Sequence, residues 1–341
     1  MVSITVSPFE TDDVATAPWG RSDDLHSSSD ERLLAVTSNV PASSAVSLLG
    51  LGPMGEPMAQ NLLDGLGSIT VWNRTVAKTD RLAALGARVA RRPRDAAAPI
   101  TLTVLPDLVH VESLLDGEDG LRAGWRAAGI ERPILVVHGT VSPTAVARLA
   151  ARLAEEDGVD LIDAPLSGGT VGAREGTLSV MIGGNRIVAD SLLPVFAHIG
   201  QTVRYLGSSG SGALAKACNQ IVVAGTVAAV SEAMLLGRTA GLDLELLREL
   251  LQGGLARTAV VEQKGEKWIH EDFAEGGSAA NQLKDLRFIA ESAAANGLVL
   301  PTTAGVSRLF ERMVADGDGA LDHTGVYRTL ISLSQEQSQG A

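Results

Sequence analysis

The stretch Gly50-Leu51-Gly52-Pro53-Met54-Gly55 constrains this chain more than any other. It closes the apolar run Ala45-Val46-Ser47-Leu48-Leu49 and opens a helical pattern from Met54 to about Leu63. The spacing predicts a strand, a tight turn and the first turn of a helix. In such a turn the first glycine lets the chain bend sharply. The second lets backbone approach a pyrophosphate, and the third lets helix and strand pack closely. The helix start aims free N–H groups and a positive dipole end at phosphate oxygens. Alone, the pattern is met equally well by an ordinary strand–helix turn. A second strand, Ile69-Thr70-Val71-Trp72, follows, and Asn73-Arg74-Thr75 stands at its tip, where a dinucleotide site has its ribose reader. An acidic residue there would bind the ribose 2′-hydroxyl and repel phosphate. Arg74 would instead pair with a 2′-phosphate, helped by Asn73, Thr75 and Lys78. The expected cofactor is NADP(H) in preference to NAD(H); the competing reading is an arginine solvated in a turn.

The 341 residues suffice for two domains, and the net charge of −12 argues against nucleic acid and acidic membrane surfaces as partners. Cys218 is the one cysteine, so no intrachain disulfide forms, and it reads most simply as a small buried hydrophobe. The six histidines lack ligand spacing, so no metal is expected. No apolar run reaches the length of a membrane span without small and polar interruptions. A cytoplasmic enzyme fits these features. Residues 1–44 are rich in Ser, Asp, Thr and Pro without a stable period, and read as a disordered tail. They lack the features of a secretory signal, and their acidic residues argue against a transit peptide.

Past the glycine turn, a helix is expected over Val76–Leu85, then a basic loop with Arg88, Arg91, Arg92 and Arg94, read as solvated surface. Strands are expected at Ile100–Leu105, Ile134–Val137, Val159–Ile162 and Thr177–Ile182. Ser142 caps a helix with Pro143 at its first position. A short helix is expected over Asp190–His198. Strands alternating with helices imply a parallel, doubly wound sheet, which binds ligands at the carboxyl ends of its strands. Leu105-Pro106 and Gly139-Thr140 lie at such ends and should face the cofactor. Ser167-Gly168-Gly169 also follows a strand end. Its hydroxyl and successive N–H groups suit a carboxylate, and a plain turn accounts for it equally well.

From about Ser209 strand signals cease, and Gly212–Ala240 is apolar nearly all round, which predicts one long buried helix. Helical pattern continues over Leu244–Gln252, Val260–Trp268, Gln282–Ala295 and Thr302–Ala315, too little to cover that helix without a second subunit. Within it, Lys216 sits among small apolar residues, costly unless it faces a polar site. Asn219 and Gln220, at i+3 and i+4, share its face. An ammonium there could protonate a carbonyl oxygen as an alkoxide forms. A lysine that snorkels to the surface is the plainer alternative.

Several stretches together resemble the β-hydroxyacid dehydrogenases, 3-hydroxyisobutyrate dehydrogenase and tartronate semialdehyde (2-hydroxy-3-oxopropionate) reductase among them. They are Gly50–Gly55 with Met58–Leu62, Asp163-Ala164-Pro165-Leu166-Ser167-Gly168-Gly169, Gly176-Thr177-Leu178 with Gly183-Gly184, Lys216 with Asn219-Gln220, and Leu283-Lys284-Asp285-Leu286. The resemblance covers about Ala45 to Leu330. It implies a Rossmann domain over 45–208 and an all-helical substrate and dimerisation domain over 209–335, related to 6-phosphogluconate dehydrogenase. It implies that Lys216 is the catalytic acid/base, with Gln220 and Asn219 beside it. Ser167, Gly168 and Gly169 would hold the substrate carboxylate. Leu105, Pro106, Thr140 and Lys284 would line the cofactor, and the assembly would be a dimer or tetramer. The implied substrate is a small oxo-acid or semialdehyde. Two departures touch the substrate pocket: His138-Gly139-Thr140 replaces an acidic residue followed by Ser-Thr, and Phe273–Gly277 lacks a Pro-Gly-Phe. The stretch Val71–Thr75 also resembles imine reductases, so an imine or promiscuous carbonyl reductase is the second reading. A non-catalytic NADPH-binding module is the third.

Overall fold

The computed structural model describes residues 45–274 and 276–339; the expectation of a disordered tail over 1–44 lies outside them. Among the described residues nine strands form one sheet: β1 (Val46–Leu49), β2 (Thr70–Trp72), β3 (Arg88–Val89), β4 (Ile100–Thr103), β5 (Ile134–Val137), β6 (Asp160–Asp163), β7 (Leu166–Ser167), β8 (Leu178–Gly183) and β9 (Gly200–Gly207). Their order is β3-β2-β1-β4-β5-β6-β8-β7, with β9 beside β8. From β3 to β6 every pairing is parallel, with Leu48 opposite both Val71 and Leu102. Every residue of β1 and β4 is buried, Ser47, Thr101 and Thr103 included, because both faces of the sheet are covered. Leu48 packs with Met58 and Leu62 of α1 (Gly55–Leu66), whereas Leu49 belongs to the opposite layer, with Val146 and Leu149 of α2 (Pro143–Asp157).

The sheet departs from the expected all-parallel form at β8, which runs antiparallel to β6 and β7. The segment between Ser167 and Leu178 holds one short helix, too little chain for the crossover that parallel pairing needs. Three strands were not expected. β9 pairs parallel with β8 at the sheet's edge, β3 lies inside the expected basic loop, and β7 falls in the stretch read as a turn. The Val76–Leu85 helix divides into a 3-10 turn over Val76–Thr79 and a short helix over Asp80–Ala84. The Asp190–His198 helix likewise becomes two, over Arg186–Ser191 and Leu193–Phe196.

The helical half begins with α3 (Ser211–Thr239), 29 residues long. Around it stand α4 (Leu244–Gly253), α5 (Ala259–His270), α6 (Ala279–Ala295), α7 (Pro301–Ala315) and α8 (Val326–Gln339). Val227 and Met234 of α3, Trp268, Phe310 and Tyr327 form their shared core. By length and mean composition α3 is long and apolar enough to cross a membrane, but Lys216, Asn219, Gln220, Ser231 and Glu232 interrupt its apolar run. It is not buried on every side as expected: Val222 is 65% and Leu236 72% exposed. Cys218, expected to be buried, is exposed.

The two halves meet at the start of α3. Asp163, the fully buried last residue of β6, accepts the N–H of Gly210 at 2.8 Å on Oδ1 and that of Ala213 at 2.8 Å on Oδ2. Burial pushes its pKa up to about 6, opposed by these N–H bonds. A Cβ at Gly212 would lie 2.3 Å from the Met181 carbonyl oxygen, so the helix seats directly on the strand ends. We predict that Asp163→Ala lowers unfolding free energy by about 2–3 kcal/mol, through two orphaned helix N–H groups. Urea denaturation checks this, and a midpoint equal to wild type would refute it.

Candidate active site

A cleft of about 760 Å³ opens between the carboxyl ends of the strands and the helical half. Gly50, Gly52, Pro53, Met54 and Gly55 form one end of its wall, and Arg74, Thr75 and Lys78 line it beside them. Gly50 has φ +103°, and a Cβ there would meet the Val104 carbonyl oxygen at 2.4 Å. A Cβ on Gly55 would meet the Gly50 carbonyl oxygen at 1.9 Å, whereas one on Gly52 would meet nothing within 4 Å. The first and third glycines are therefore required by the protein's own packing. The second faces the space that a pyrophosphate needs, so the residues fit a dinucleotide.

Leu51, expected among the cofactor contacts, is buried and does not line the cleft; its N–H donates to Asn73 Oδ1 at 2.9 Å. Asn73 Nδ2 donates to the Thr75 carbonyl at 2.9 Å. The Asn73 amide thus fixes the glycine turn to the tip of β2 at both its ends. Arg74 is exposed, lines the cleft, and enters no ion pair among the described residues. The basic stretch turned away from this role: Arg92 pairs with Asp95 and Asp119.

Further along, Leu105, Pro106, Gly139 and Thr140 line the cleft as expected of strand ends. A Cβ on Gly139 would lie 2.2 Å from the Leu105 carbonyl oxygen, so this backbone has no room for a side chain there. Lys284 Nζ on α6 donates to the Thr140 carbonyl at 2.6 Å and pairs with Asp285 Oδ1 at 3.0 Å. Its ammonium therefore ties the helical half to the end of β5. A second tie runs from Ser142 Oγ, the cap of α2, to Glu291 Oε1 at 3.0 Å.

Lys216 lines the same cleft at 8% exposure, with Ser167, Gly168, Gly169 and Gln220. It does not snorkel to the surface. Its Nζ donates to Asn219 Oδ1 at 3.3 Å, which also accepts Ser167 Oγ at 3.2 Å. Asn219 does not itself line the cleft; it couples the lysine to the Ser-Gly-Gly segment. That segment is more than a turn: Gly168 at φ +130° leads into a helix over Gly169–Glu175. Burial lowers the Lys216 pKa to about 8; Asp285 raises it and Lys284 lowers it further. Gln220 Nε2 donates to Asp285 Oδ2 at 2.7 Å. Burial raises the Asp285 pKa, opposed chiefly by Lys284.

Asp285 is a participant that sequence reasoning left without a role, although it stands next to Lys284. Gln263, Gln282 and His323 also line the cleft, and no sequence signal marked them. The Gln263 side-chain oxygen lies 3.7 Å from where a Cβ on Gly169 would be, so α5 walls the cleft opposite the glycines.

Comparison with known proteins agrees with this arrangement. Residues 45–207 match the family described as the NAD binding domain of 6-phosphogluconate dehydrogenase. Residues 210–330 match the NAD-binding domain of NADP-dependent 3-hydroxyisobutyrate dehydrogenase. The chain is 38% identical over 285 residues to 2-hydroxy-3-oxopropionate reductase of Escherichia coli (strain K12), covering 83% of this chain and 95% of that one. It is 33% identical to 2-(hydroxymethyl)glutarate dehydrogenase of Eubacterium barkeri, covering 84% and 94%. Among solved structures, Mycobacterium tuberculosis 3-hydroxyisobutyrate dehydrogenase with L-serine aligns at TM-score 0.69 and 28% identity, covering 84% and 99%. Fold and cleft define an NAD(P)-dependent oxidoreductase that interconverts a hydroxyl and a carbonyl group. The chain belongs to the β-hydroxyacid dehydrogenase family. Its preferred cofactor is NADP(H).

Proposed function

We propose that this protein reduces a small oxo-acid or semialdehyde, such as 2-hydroxy-3-oxopropionate or the semialdehyde related to 3-hydroxyisobutyrate, with Lys216 as acid/base. The observation that supports this most is the buried Lys216 ammonium in the cleft wall, tied through Asn219 to Ser167. The cofactor, when bound, supplies the hydride taken up by the carbonyl carbon. Gly50, Gly52 and Gly55 with the start of α1 would hold its phosphates, and Leu105, Pro106, Thr140 and Lys284 would line its nicotinamide half. Ser167 and the N–H groups of Gly168 and Gly169 hold the substrate carboxylate. Lys216 gives its proton to the carbonyl oxygen, stabilising the alkoxide as charge develops there. In the reverse direction neutral Lys216 takes the hydroxyl proton. Gln220 and Asp285 hold that side of the cleft in place.

Reduction needs the ammonium, so its kcat/KM should be flat at neutral pH and fall as pH rises through about 8, the Lys216 pKa. Oxidation needs the free amine and should rise through the same region. Lys216→Ala should lower kcat by about 10²- to 10⁴-fold with NADPH binding retained. Undiminished carbonyl reduction by this variant would eliminate the role.

Arg74 is proposed to read the 2′-phosphate, with Thr75 and Lys78 beside it. Arg74→Ala should raise KM for NADPH by roughly 10- to 100-fold, the loss of a charged hydrogen bond, and leave KM for NADH within a few-fold. An equal loss for both cofactors would refute 2′-phosphate reading.

The open face of α3, with Val222 and Leu236, is proposed to pack against a second copy in a dimer or tetramer. Light scattering should give a mass of at least two chains at micromolar concentration. A monomer at all concentrations would exclude this assembly.

A further inference from the structure

The helix α6 reaches the sheet half along a single face. Lys284, Phe288 and Glu291 stand on it at i, i+4 and i+7, a stripe about 10 Å long at 1.5 Å per residue. Facing them is the segment Thr140–Thr144, which leaves the end of β5 and starts α2. At one end of the stripe Lys284 Nζ donates to the Thr140 carbonyl at 2.6 Å. At the other, Glu291 Oε1 accepts Ser142 Oγ at 3.0 Å and the Thr144 hydroxyl beside it. Among the described residues these are the only hydrogen bonds from α6 to the sheet half.

The two ends differ in what they fix. Lys284 has two further partners, Asp285 Oδ1 at 3.0 Å and the Phe288 ring, whose centroid is 4.9 Å from Nζ. Both belong to α6 and move with it. They set the ammonium on the helix but not the helix against the cleft. Glu291 does not line the cleft. Its carboxylate only accepts, so both hydroxyls must turn their protons toward it. Ser142 Oγ meanwhile accepts the Ala145 N–H at 3.3 Å, so the same hydroxyl caps α2 and binds α6. The negative charge also stands at the positive end of a 15-residue helix. This contact therefore has a defined geometry between two rigid elements, and it crosses from one half to the other.

We propose that Glu291 is a positioning residue for cofactor binding: by anchoring α6 to the start of α2, it holds the Lys284 ammonium, two turns away, at the Thr140 carbonyl. This rests on the placement of Lys284 at the cofactor proposed above, and adds to it a residue outside the cleft. The Thr140 contact is a single bond to a backbone oxygen, and such a bond weakens steeply once its length or angle changes. Without its second anchor, α6 can tilt and carry Lys284 and Asp285 with it.

The experiment measures the Kd of NADPH by fluorescence in the wild-type protein, Glu291→Ala, Glu291→Gln, Lys284→Met and the double variant Glu291→Ala/Lys284→Met. Glu291→Ala should raise Kd by about 3- to 10-fold, as for a charge-assisted contact at a half-open position. Glu291→Gln keeps an acceptor oxygen and should stay within about 2-fold of wild type. On the Lys284→Met background, Glu291→Ala should add less than about 2-fold, because the group it positions is gone. A role in stability alone would give the same factor with and without Lys284, and that result overturns the proposal. So does a wild-type Kd in Glu291→Ala. Should Glu291→Ala not fold, Thr144→Val, which removes one donor to the same oxygen, takes its place in the same cycle. If Lys284→Met itself leaves Kd unchanged, the cofactor role of Lys284 is refuted and the proposal falls with it. Binding is measured without substrate, so a failure here is distinct from a failure of the oxo-acid reading, which turnover decides.

Discussion

The Asp163 carboxylate holds this architecture at its joint. It ends β6 and accepts two N–H groups at the start of the long helix, from the capping residue Gly210 and from Ala213 in the first turn. Those groups have no partner within the helix, and a buried anion at that end is favoured by the dipole. The consequence is positional. Lys216 lies one turn beyond Ala213, so the clamp sets where the ammonium enters the cleft. Two further ties, Lys284 to the Thr140 carbonyl and Glu291 to Ser142, fix a second helix to the same side of the sheet. The cleft is thus bounded by two helices, each bonded to strand ends or to the loops that leave them.

The charges inside the cleft balance one another at short range. Lys216 and Asp285 are taken out of water, with Lys284 part-buried beside them, and neither buried charge would persist alone at that depth. Asp285 holds the ammonium of Lys284 at 3.0 Å and the amide of Gln220 at 2.7 Å. This leaves Lys216 with only an amide oxygen as partner and with its pKa reduced to about 8. A proton donor near that value changes state within reach of neutral pH, which an unperturbed lysine does not.

Much of this was legible in the sequence because it rests on local rules. The glycine turn, the Ser142 cap and the buried lysine each announce themselves within a few residues. What stayed hidden depends on contacts far apart in the chain. Asn73 was read as helping Arg74 at the 2′-phosphate and lines the cleft; its amide also engages Leu51 and Thr75, a use visible only once the turn closes over it. β9 alternates weakly because it lies at an edge with much of its length exposed. Gln282 and His323 meet across 41 positions, and neither carries a local signature. The antiparallel pairing of β8 was missed because alternation of strands and helices does not reveal how much chain each crossover has.

The exposed thiol has a use of its own. Cys218, Val222 and Leu236 follow one another at helical spacing, so they share the open side of the long helix, away from the lysine. The chain has no other cysteine. A maleimide dye would therefore attach at one point without mutagenesis, and its rate of attachment would report how much of that side is shielded in solution.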